Sequence, residues 1–175
     1  MENAIILHGI GGSPMLNWYQ YAASKAREKA FTPHVPQLPL SDKPNLDLTY
    51  QFLVKKYAFD KETVLIGHSS GASLALGILQ KLPDDTVIKR TILVSGFIDP
   101  NLTPELHTYI ARSDYDKLFP KAWDWEKIRI VQMHHAKTME EKLHGKLVLV
   151  PDALHFSVNS GGERFREFSE LVEYL

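Results

Sequence analysis

Cysteine is absent from the sequence, and this excludes disulfide bonds, thiolate metal ligands and a cysteine nucleophile. Net charge is almost absent too, since a value of −1 leaves no basic field to attract nucleic acid or an anionic membrane surface. Long apolar runs are also missing. The first run, Ala4–Leu7, is too short for a signal peptide or a membrane span and is typical of a strand. We therefore expect a cytoplasmic protein that binds neither nucleic acid nor membranes.

Short apolar segments alternate with amphipathic segments, and this order indicates βαβ units around a mostly parallel sheet. The predicted strands are Ala4–Leu7, Phe31–Val35, Thr63–Ile66, Thr91–Val94 and Leu147–Val150. The predicted helices are Asn17–Ala30, Leu46–Phe59, Ala72–Leu82, a segment near Glu105–Arg112, Ala136–Leu143 and Gly162–Leu175. The length of 175 residues suits one domain. We predict a single α/β domain over residues 1–175, with a three-layer, doubly wound sheet.

The secondary structure of Ile128–His135 stays open between two alternatives. Its apolar residues alternate as they do in a strand, but the segment also suits the first turns of a helix that continues to Leu143. Periodicity does not decide between the two in so short a run.

The most informative motif is Gly67-His68-Ser69-Ser70-Gly71, which has the pattern G-x-S-x-G. It stands between an apolar strand that ends at Ile66 and a helix that begins near Ala72. This setting is that of a nucleophile elbow. A turn so sharp requires small residues on both sides of the serine, and it exposes the serine at the positive end of a helix. We interpret Ser69 as a nucleophile; the alternative is a Ser/Gly-rich turn without chemistry.

A serine hydroxyl needs a base to take its proton and donors to hold the oxyanion that forms. His155 is the candidate base, because it follows the predicted strand Leu147–Val150 and so opens on the same sheet edge as the elbow. The backbone N–H of Ser70 is one candidate oxyanion donor. The other lies in the turn after the first strand, where we prefer Ile10 over Gly11, although a tight turn without a catalytic part is equally compatible.

Three more residues at these positions are candidates for substrate contact. Gly9 lets the backbone of the first turn approach a substrate carbonyl closely. His8 either orients this turn or touches the substrate. His68, inside the elbow, either packs beside the nucleophile or lines the substrate site.

Two segments resemble cofactor motifs but lack the residues that those motifs require. The turn Gly9-Ile10-Gly11-Gly12-Ser13-Pro14 departs from the dinucleotide-binding pattern G-x-G-x-x-G, because proline occupies its last position. His134 and His135 are adjacent, so their side chains diverge on a helix or a strand and chelate a metal poorly. No His-Glu-x-x-His motif accompanies them.

Five segments of the sequence resemble the retinoblastoma-binding-protein-9-type family of small serine hydrolases. They are the elbow with Ala72, the first turn, Trp18-Tyr19, Trp123-Asp124-Trp125-Glu126-Lys127-Ile128 and His155-Phe156. The resemblance covers nearly the whole chain. It implies a compact α/β-hydrolase fold without a large lid, with Ser69 as nucleophile and His155 as base. It further implies hydrolysis of small esters or amides without a metal or organic cofactor, and it allows for a protein partner.

The chain departs from this family at the acid of the catalytic triad. The family carries an Asp-Asp-Pro-like turn after the tryptophan motif, whereas Arg129–Thr138 holds no carboxylate. Asp99, which follows the fourth predicted strand, is our leading replacement. Asp152, close before His155, is the second choice, and Asp124 is more typical of a solvated loop charge. The remaining alternative is that no acid exists.

Two functions are compatible with these features. The first is a serine hydrolase that acts on small carboxylic esters. The second is a catalytically weakened relative that binds a protein or a small ligand through the same cleft. The segment Phe97–Trp125 is long enough for a small cap, and its aromatic residues either line an apolar acyl pocket or pack against the sheet.

Overall fold

The computed structural model describes residues 2–97 and 133–175. In this part of the chain, parallel strands form one sheet: β1 (Asn3–Leu7), β2 (Thr32–His34), β3 (Thr63–His68) and β4 (Arg90–Val94). Their order across the sheet is β2-β1-β3-β4. Because β1 and β3 are parallel, their C-terminal ends meet at one edge, where Leu7 is paired with Gly67. This edge carries the loops in which the sequence predicts the functional site.

The helices in the described residues are α1 (Tyr19–Glu28), α2 (Leu46–Val54), α3 (Ser70–Lys81), α4 (Met133–Leu143), α5 (Val158–Gly161) and α6 (Ser169–Val172), with a 3₁₀ helix at Glu163–Arg166. The side chain of Asn45 caps α2 by accepting from the N–H of Leu48. None of these helices has the length and apolar character that crossing a bilayer requires.

Helices cover both faces of the sheet, because side chains alternate between the faces along β1 and β3. On one face, Ile5 and Leu65 are buried with residues of α2 and α3. On the other face, Ile6 and Ile66 are buried with residues of α1 and with Phe168. This arrangement confirms the predicted doubly wound α/β class.

The predicted fifth strand, Leu147–Val150, is wrong. These residues form no strand in the structure, and Val148 and Leu149 are 41% and 60% exposed. A strand persists only where ladder hydrogen bonds pair it with a neighbour. Instead, the N–H of Leu147 donates to the side chain of Glu140 at 3.2 Å. His155 therefore follows an irregular segment rather than a strand.

The prediction of one continuous helix over Gly162–Leu175 is also wrong. Gly162 has a φ of +81° and separates α5 from the 3₁₀ helix, and extended backbone at Glu167 separates that helix from α6. The ring of Phe168, which follows this break, lies 5.3 Å from that of Trp18 and 4.8 Å from that of Phe156. Aromatic packing has overridden the local helix pattern.

The structure describes the secondary structure of Ile128–His135 only at its end, where the chain is helical from Met133 onward. The rest of it lies outside the described residues. The helix predicted near Glu105–Arg112 and all of the predicted cap after Phe97 lie outside them too.

Candidate active site

Ser69 occupies a sharp turn between β3 and α3. Its φ of 57° and ψ of −125° are strained for a residue with a side chain. The N–H of Ser69 donates to the carbonyl of Val94 at 2.8 Å, which ties the turn to the end of β4. The helix dipole of α3 places positive potential beside the serine. This is the geometry of a nucleophile elbow.

Two glycines allow this turn because backbone from neighbouring elements fills the space of a side chain. A Cβ on Gly67 would lie 2.4 Å from the carbonyl oxygen of Gly71. A Cβ on Gly71 would lie 2.4 Å from the carbonyl oxygen of Leu7 and 2.6 Å from that of His8. The obstacle to Gly67 is the backbone of α3, and the obstacles to Gly71 are backbone atoms of β1 and the start of its loop, so a side chain at either position would push α3 away from the sheet.

The Gly71→Ala variant is therefore expected to lose about 3 kcal/mol of unfolding free energy, at the upper end of the usual cost of overpacking. Urea unfolding followed by circular dichroism measures this loss. Gly145→Ala is the matched control, because nothing lies within 4 Å of a Cβ at that exposed position. Equal midpoints for the two variants would contradict the close approach of α3 to β1.

His155 meets Ser69 from a distant part of the chain. Its Nε2 lies 2.9 Å from the Oγ of Ser69, across 86 residues of sequence. Burial lowers the pKa of His155 to about 4, so the ring is neutral at pH 7. A neutral imidazole at hydrogen-bonding distance from a serine hydroxyl can accept its proton.

The other nitrogen of His155 has no partner within the described part of the chain. Its Nδ1 is buried without a hydrogen bond. For Nε2 to accept a proton from Ser69, the ring proton must sit on Nδ1, and a buried N–H without an acceptor costs about 1–3 kcal/mol. The opposite tautomer leaves the lone pair of Nδ1 buried without a donor, so no described residue fixes which nitrogen of His155 carries the proton.

Among the described residues, no candidate acid is a hydrogen-bond partner for Nδ1 of His155. Asp152 is exposed, has a φ of 55°, and makes no hydrogen bond to Nδ1 of His155. Its backbone carbonyl, rather than its carboxylate, is engaged, since it accepts from Arg164. Asp99 and Asp124 lie outside the described residues, so the role of Asp99 stays a prediction.

Backbone donors for an oxyanion are available on both sides of the elbow. Ser70 is the first residue of α3, so its N–H has no carbonyl partner within the helix. In the turn after β1, the N–H groups of Gly9, Gly11 and Gly12 all donate to acceptors in the protein. The N–H of Ile10 has no acceptor among the described residues, which favours Ile10 over Gly11 as the second donor.

His8 orients this turn from the buried side. Its Nε2 accepts from the N–H of Leu38 at 3.1 Å, so its Nδ1 carries the proton and donates to the carbonyl of Gly9 at 2.8 Å. That carbonyl and the N–H of Ile10 belong to one trans peptide and point in opposite directions. By holding the carbonyl, His8 fixes the direction of the Ile10 N–H. Burial lowers the pKa of His8, which keeps the ring neutral for this role.

Comparison with known protein families identifies the superfamily. The profile of the Alpha/beta hydrolase family matches residues 4–167, a span that includes the elbow and His155. The chain belongs to the alpha/beta hydrolase family. The narrower likeness to the retinoblastoma-binding-protein-9-type family is not distinguished by this match and stays a prediction.

Two solved structures resemble this alpha/beta hydrolase. The ydeN gene product of B. subtilis has a TM-score of 0.79 and 20% sequence identity, with 99% of this chain and 96% of that chain covered. A lipase-esterase related protein from Clostridium acetobutylicum ATCC 824 has a TM-score of 0.36 and 17% identity, with 93% and 66% covered. The first confirms the fold, and the second is too distant to support an argument. Curated protein sequences give no match.

The elbow, the oxyanion turn and the His155 loop of this alpha/beta hydrolase border one cleft of about 730 Å³. Gly9 forms its wall beside Ser69, because a Cβ there would lie 3.1 Å from the Cβ of Ser69. His68 lies at its base and is 2% exposed. His8 does not line the cleft, so the structure favours the orienting alternative for it over substrate contact. The described residues contain no cluster of three or more side chains suited to a metal ion.

Sequence reasoning missed the residues that hold the His155 loop in this alpha/beta hydrolase. The side chain of Asn17 accepts from the N–H of Val158 at 3.0 Å, and the indole N–H of Trp18 donates to the carbonyl of Phe156 at 3.0 Å. Both anchors come from the segment just before α1. In the sequence, Trp18-Tyr19 is notable only for its resemblance to a family motif, and its distance along the chain from His155 gives no signal of contact.

Proposed function

We propose that this alpha/beta hydrolase is a serine hydrolase that acts on small carboxylic esters. Ser69 Oγ bonds to the acyl carbon while His155 takes the hydroxyl proton, and the N–H groups of Ser70 and Ile10 hold the oxyanion. The bond to the leaving alkoxide then breaks as His155 returns the proton to it. Water hydrolyses the acyl-enzyme by the same proton transfers. No metal or organic cofactor is needed, because protein groups supply the base and the oxyanion donors.

The observation that carries this proposal is the 2.9 Å distance between His155 Nε2 and Ser69 Oγ at a strained elbow. A structural serine has no need of such a backbone conformation, which costs about 1–3 kcal/mol and is found mainly where function requires it. Neither residue is explained by packing alone.

The cleft suits a small substrate of mixed polarity. Around the nucleophile it presents apolar side chains from Leu16 and Val158, together with polar groups from Asn17 and Asn159. Such a lining fits a short acyl chain with a polar ester group better than a long hydrocarbon chain.

The unpartnered Nδ1 of His155 limits the chemistry that we expect. In serine proteases, loss of correct tautomer control lowers turnover by about 10⁴-fold. Esters with good leaving groups tolerate such a loss, whereas amides demand a strong general acid for their leaving amine. Hydrolysis of activated esters, with amides cleaved poorly, is therefore the expected pattern unless Asp99 supplies the acid.

A fluorophosphonate probe tests the proposal, because it reacts only with an activated serine. Wild-type protein is expected to gain one probe adduct by intact mass spectrometry, and Ser69→Ala is expected to gain none. Ser24→Ala is the matched control, since Ser24 is exposed on α1, and it should be labelled like the wild type. Folded wild-type protein that stays unlabelled would overturn the proposal.

A second function is favoured by the same unpartnered nitrogen. A chain that has lost its acid can keep the cleft and bind a protein or a small ligand without turnover. We also propose that the chain belongs to the narrower retinoblastoma-binding-protein-9-type family. A cytoplasmic location and a protein partner are proposed on the same resemblance. Absence of labelling in folded protein would support the binding function.

A further inference from the structure

His68 precedes the nucleophile, yet its ring is directed at the loop that carries the base. It is fully buried in the elbow, and its Nε2 lies 2.8 Å from the backbone carbonyl of His155. The other ring nitrogen, Nδ1, lies 2.6 Å from the hydroxyl of Tyr19, which is also buried. The ring thus joins α1 to the His155 loop through the elbow.

The direction of each hydrogen bond in this chain can be assigned. A carbonyl oxygen only accepts, so Nε2 of His68 carries the proton and donates to His155. Nδ1 then has a lone pair and accepts from the hydroxyl of Tyr19. That hydroxyl in turn accepts from the side-chain amide of Asn17 at 3.2 Å and from the N–H of Gly9 at 3.4 Å. One tautomer of His68 satisfies every group.

The His155 loop needs such anchors because its backbone is strained. Asp152, Leu154 and Phe156 all have φ values between 50° and 55°, although none of them is glycine. Each left-handed residue of this kind costs about 1–2 kcal/mol. The bond from His68 acts on the carbonyl between two of them, at the residue whose ring must face Ser69.

We infer that His68 is a positioning residue of the hydrolase: its Nε2–H, held by Tyr19, fixes the backbone of His155 and thereby aligns the His155 ring with Ser69 Oγ. This inference rests on the proposed function, because its effect on catalysis can be measured only if the protein hydrolyses esters. His68, the residue before Ser69 in the elbow, would thus act by aligning the base rather than by contacting the substrate.

The His68→Phe variant tests this role, since it keeps a buried ring but removes both nitrogens. We expect kcat for p-nitrophenyl acetate to fall by about 10- to 100-fold, because a shift of about 1 Å in a catalytic group can cost that much, while KM changes little. His68→Gln keeps an N–H donor of similar reach and should recover part of the rate. His34→Phe is the matched control, because His34 packs on Tyr57 in β2, away from the cleft.

Two further measurements separate positioning from general stability. Tyr19→Phe should lower kcat severalfold, and the double variant with His68→Phe should be no slower than His68→Phe alone, because both act through one chain of hydrogen bonds. Hydrogen exchange over residues 153–158 should accelerate in His68→Phe but not in His34→Phe.

The possible outcomes are distinct. Wild-type kcat in folded His68→Phe, with unchanged exchange in the loop, overturns the inference. If His68→Phe fails to fold, additive losses in His68→Gln and Tyr19→Phe overturn it, and non-additive losses support it. A wild-type protein without esterase activity, in which loop exchange still depends on His68, refutes the proposed function but leaves the anchoring of the loop intact.

Discussion

The His155→Asn variant is expected to lose about 10²-fold in kcat/KM for p-nitrophenyl acetate, because loss of the base costs about 10⁶-fold in a complete triad and the missing partner of Nδ1 already accounts for about 10⁴-fold of that. The imidazole Nε2 is 2.9 Å from the Oγ of Ser69, and asparagine offers no basic nitrogen there. Because His155 acts on the serine rather than on the bound ester, the loss should fall on kcat with KM nearly constant. Steady-state kinetics at pH 7.5 measure both constants.

His144→Asn is the control for this experiment. His144 is exposed beyond the end of α4 and has a φ of 50°, a conformation that asparagine adopts readily. Its kinetics should equal those of the wild type. A His155→Asn variant that retains more than about a tenth of the wild-type rate would show that another group serves as base.

Acidification is expected to destabilise the folded protein strongly between pH 6.5 and pH 4. Burial, with a smaller contribution from His155, lowers the pKa of His68 to about 3, and burial lowers that of His155 to about 4. In the unfolded chain both titrate near 6.5. Between these values the unfolded state binds more protons than the folded state, so stability is complete above pH 6.5 and falls as the pH decreases.

The size of this effect follows from linkage. Each histidine contributes about 1.4 kcal/mol per pH unit within the window, or about 3 kcal/mol between pH 6.5 and pH 4. Two such losses are comparable with the lower end of the stability of an ordinary domain, which is about 5–15 kcal/mol. Urea midpoints measured at pH 7.0, 5.5 and 4.5 should therefore decrease at each step.

Variants of the two histidines show which residue takes up a proton when the protein unfolds at low pH. His68→Gln should reduce the dependence of stability on pH by about one proton. A carboxylate paired with Nδ1 of His155 would raise the pKa of that residue, so His155→Asn would then alter the pH dependence little. Stability that stays level down to pH 4.5 in the wild type would contradict the burial of these rings.

The elbow could be predicted because its determinants are contiguous in sequence. The strand before Ser69, the small residues around it and the helix after it all lie within about 20 residues, and each favours the same turn. The parallel-strand argument does not explain the approach of His155 to Ser69, because Leu147–Val150 forms no strand and His155 follows an irregular segment. The prediction of Ile10 as a donor agrees with the hydrogen bonds of its neighbours, which leave its N–H free within the described residues.

Other features depend on partners that a local pattern does not reveal. Leu147–Val150 has the composition of a strand but makes no ladder, and helix periodicity in Gly162–Leu175 yields to the aromatic contacts of Phe168. The anchors Asn17 and Trp18 reach across more than 130 residues to the His155 loop. Sequence periodicity reports which face of an element is apolar, but not which distant loop a polar side chain will hold.

The wide separation of Ser69 and His155 along the chain has a consequence for biosynthesis. A ribosome delivers the nucleophile, its strained turn and the loop anchors at Asn17 and Trp18 well before it delivers the imidazole. Under the proposed function, a nascent chain that ends ahead of residue 155 lacks the base, so its Ser69 is not yet activated. The order of translation itself would then delay activity until the last part of the chain is made.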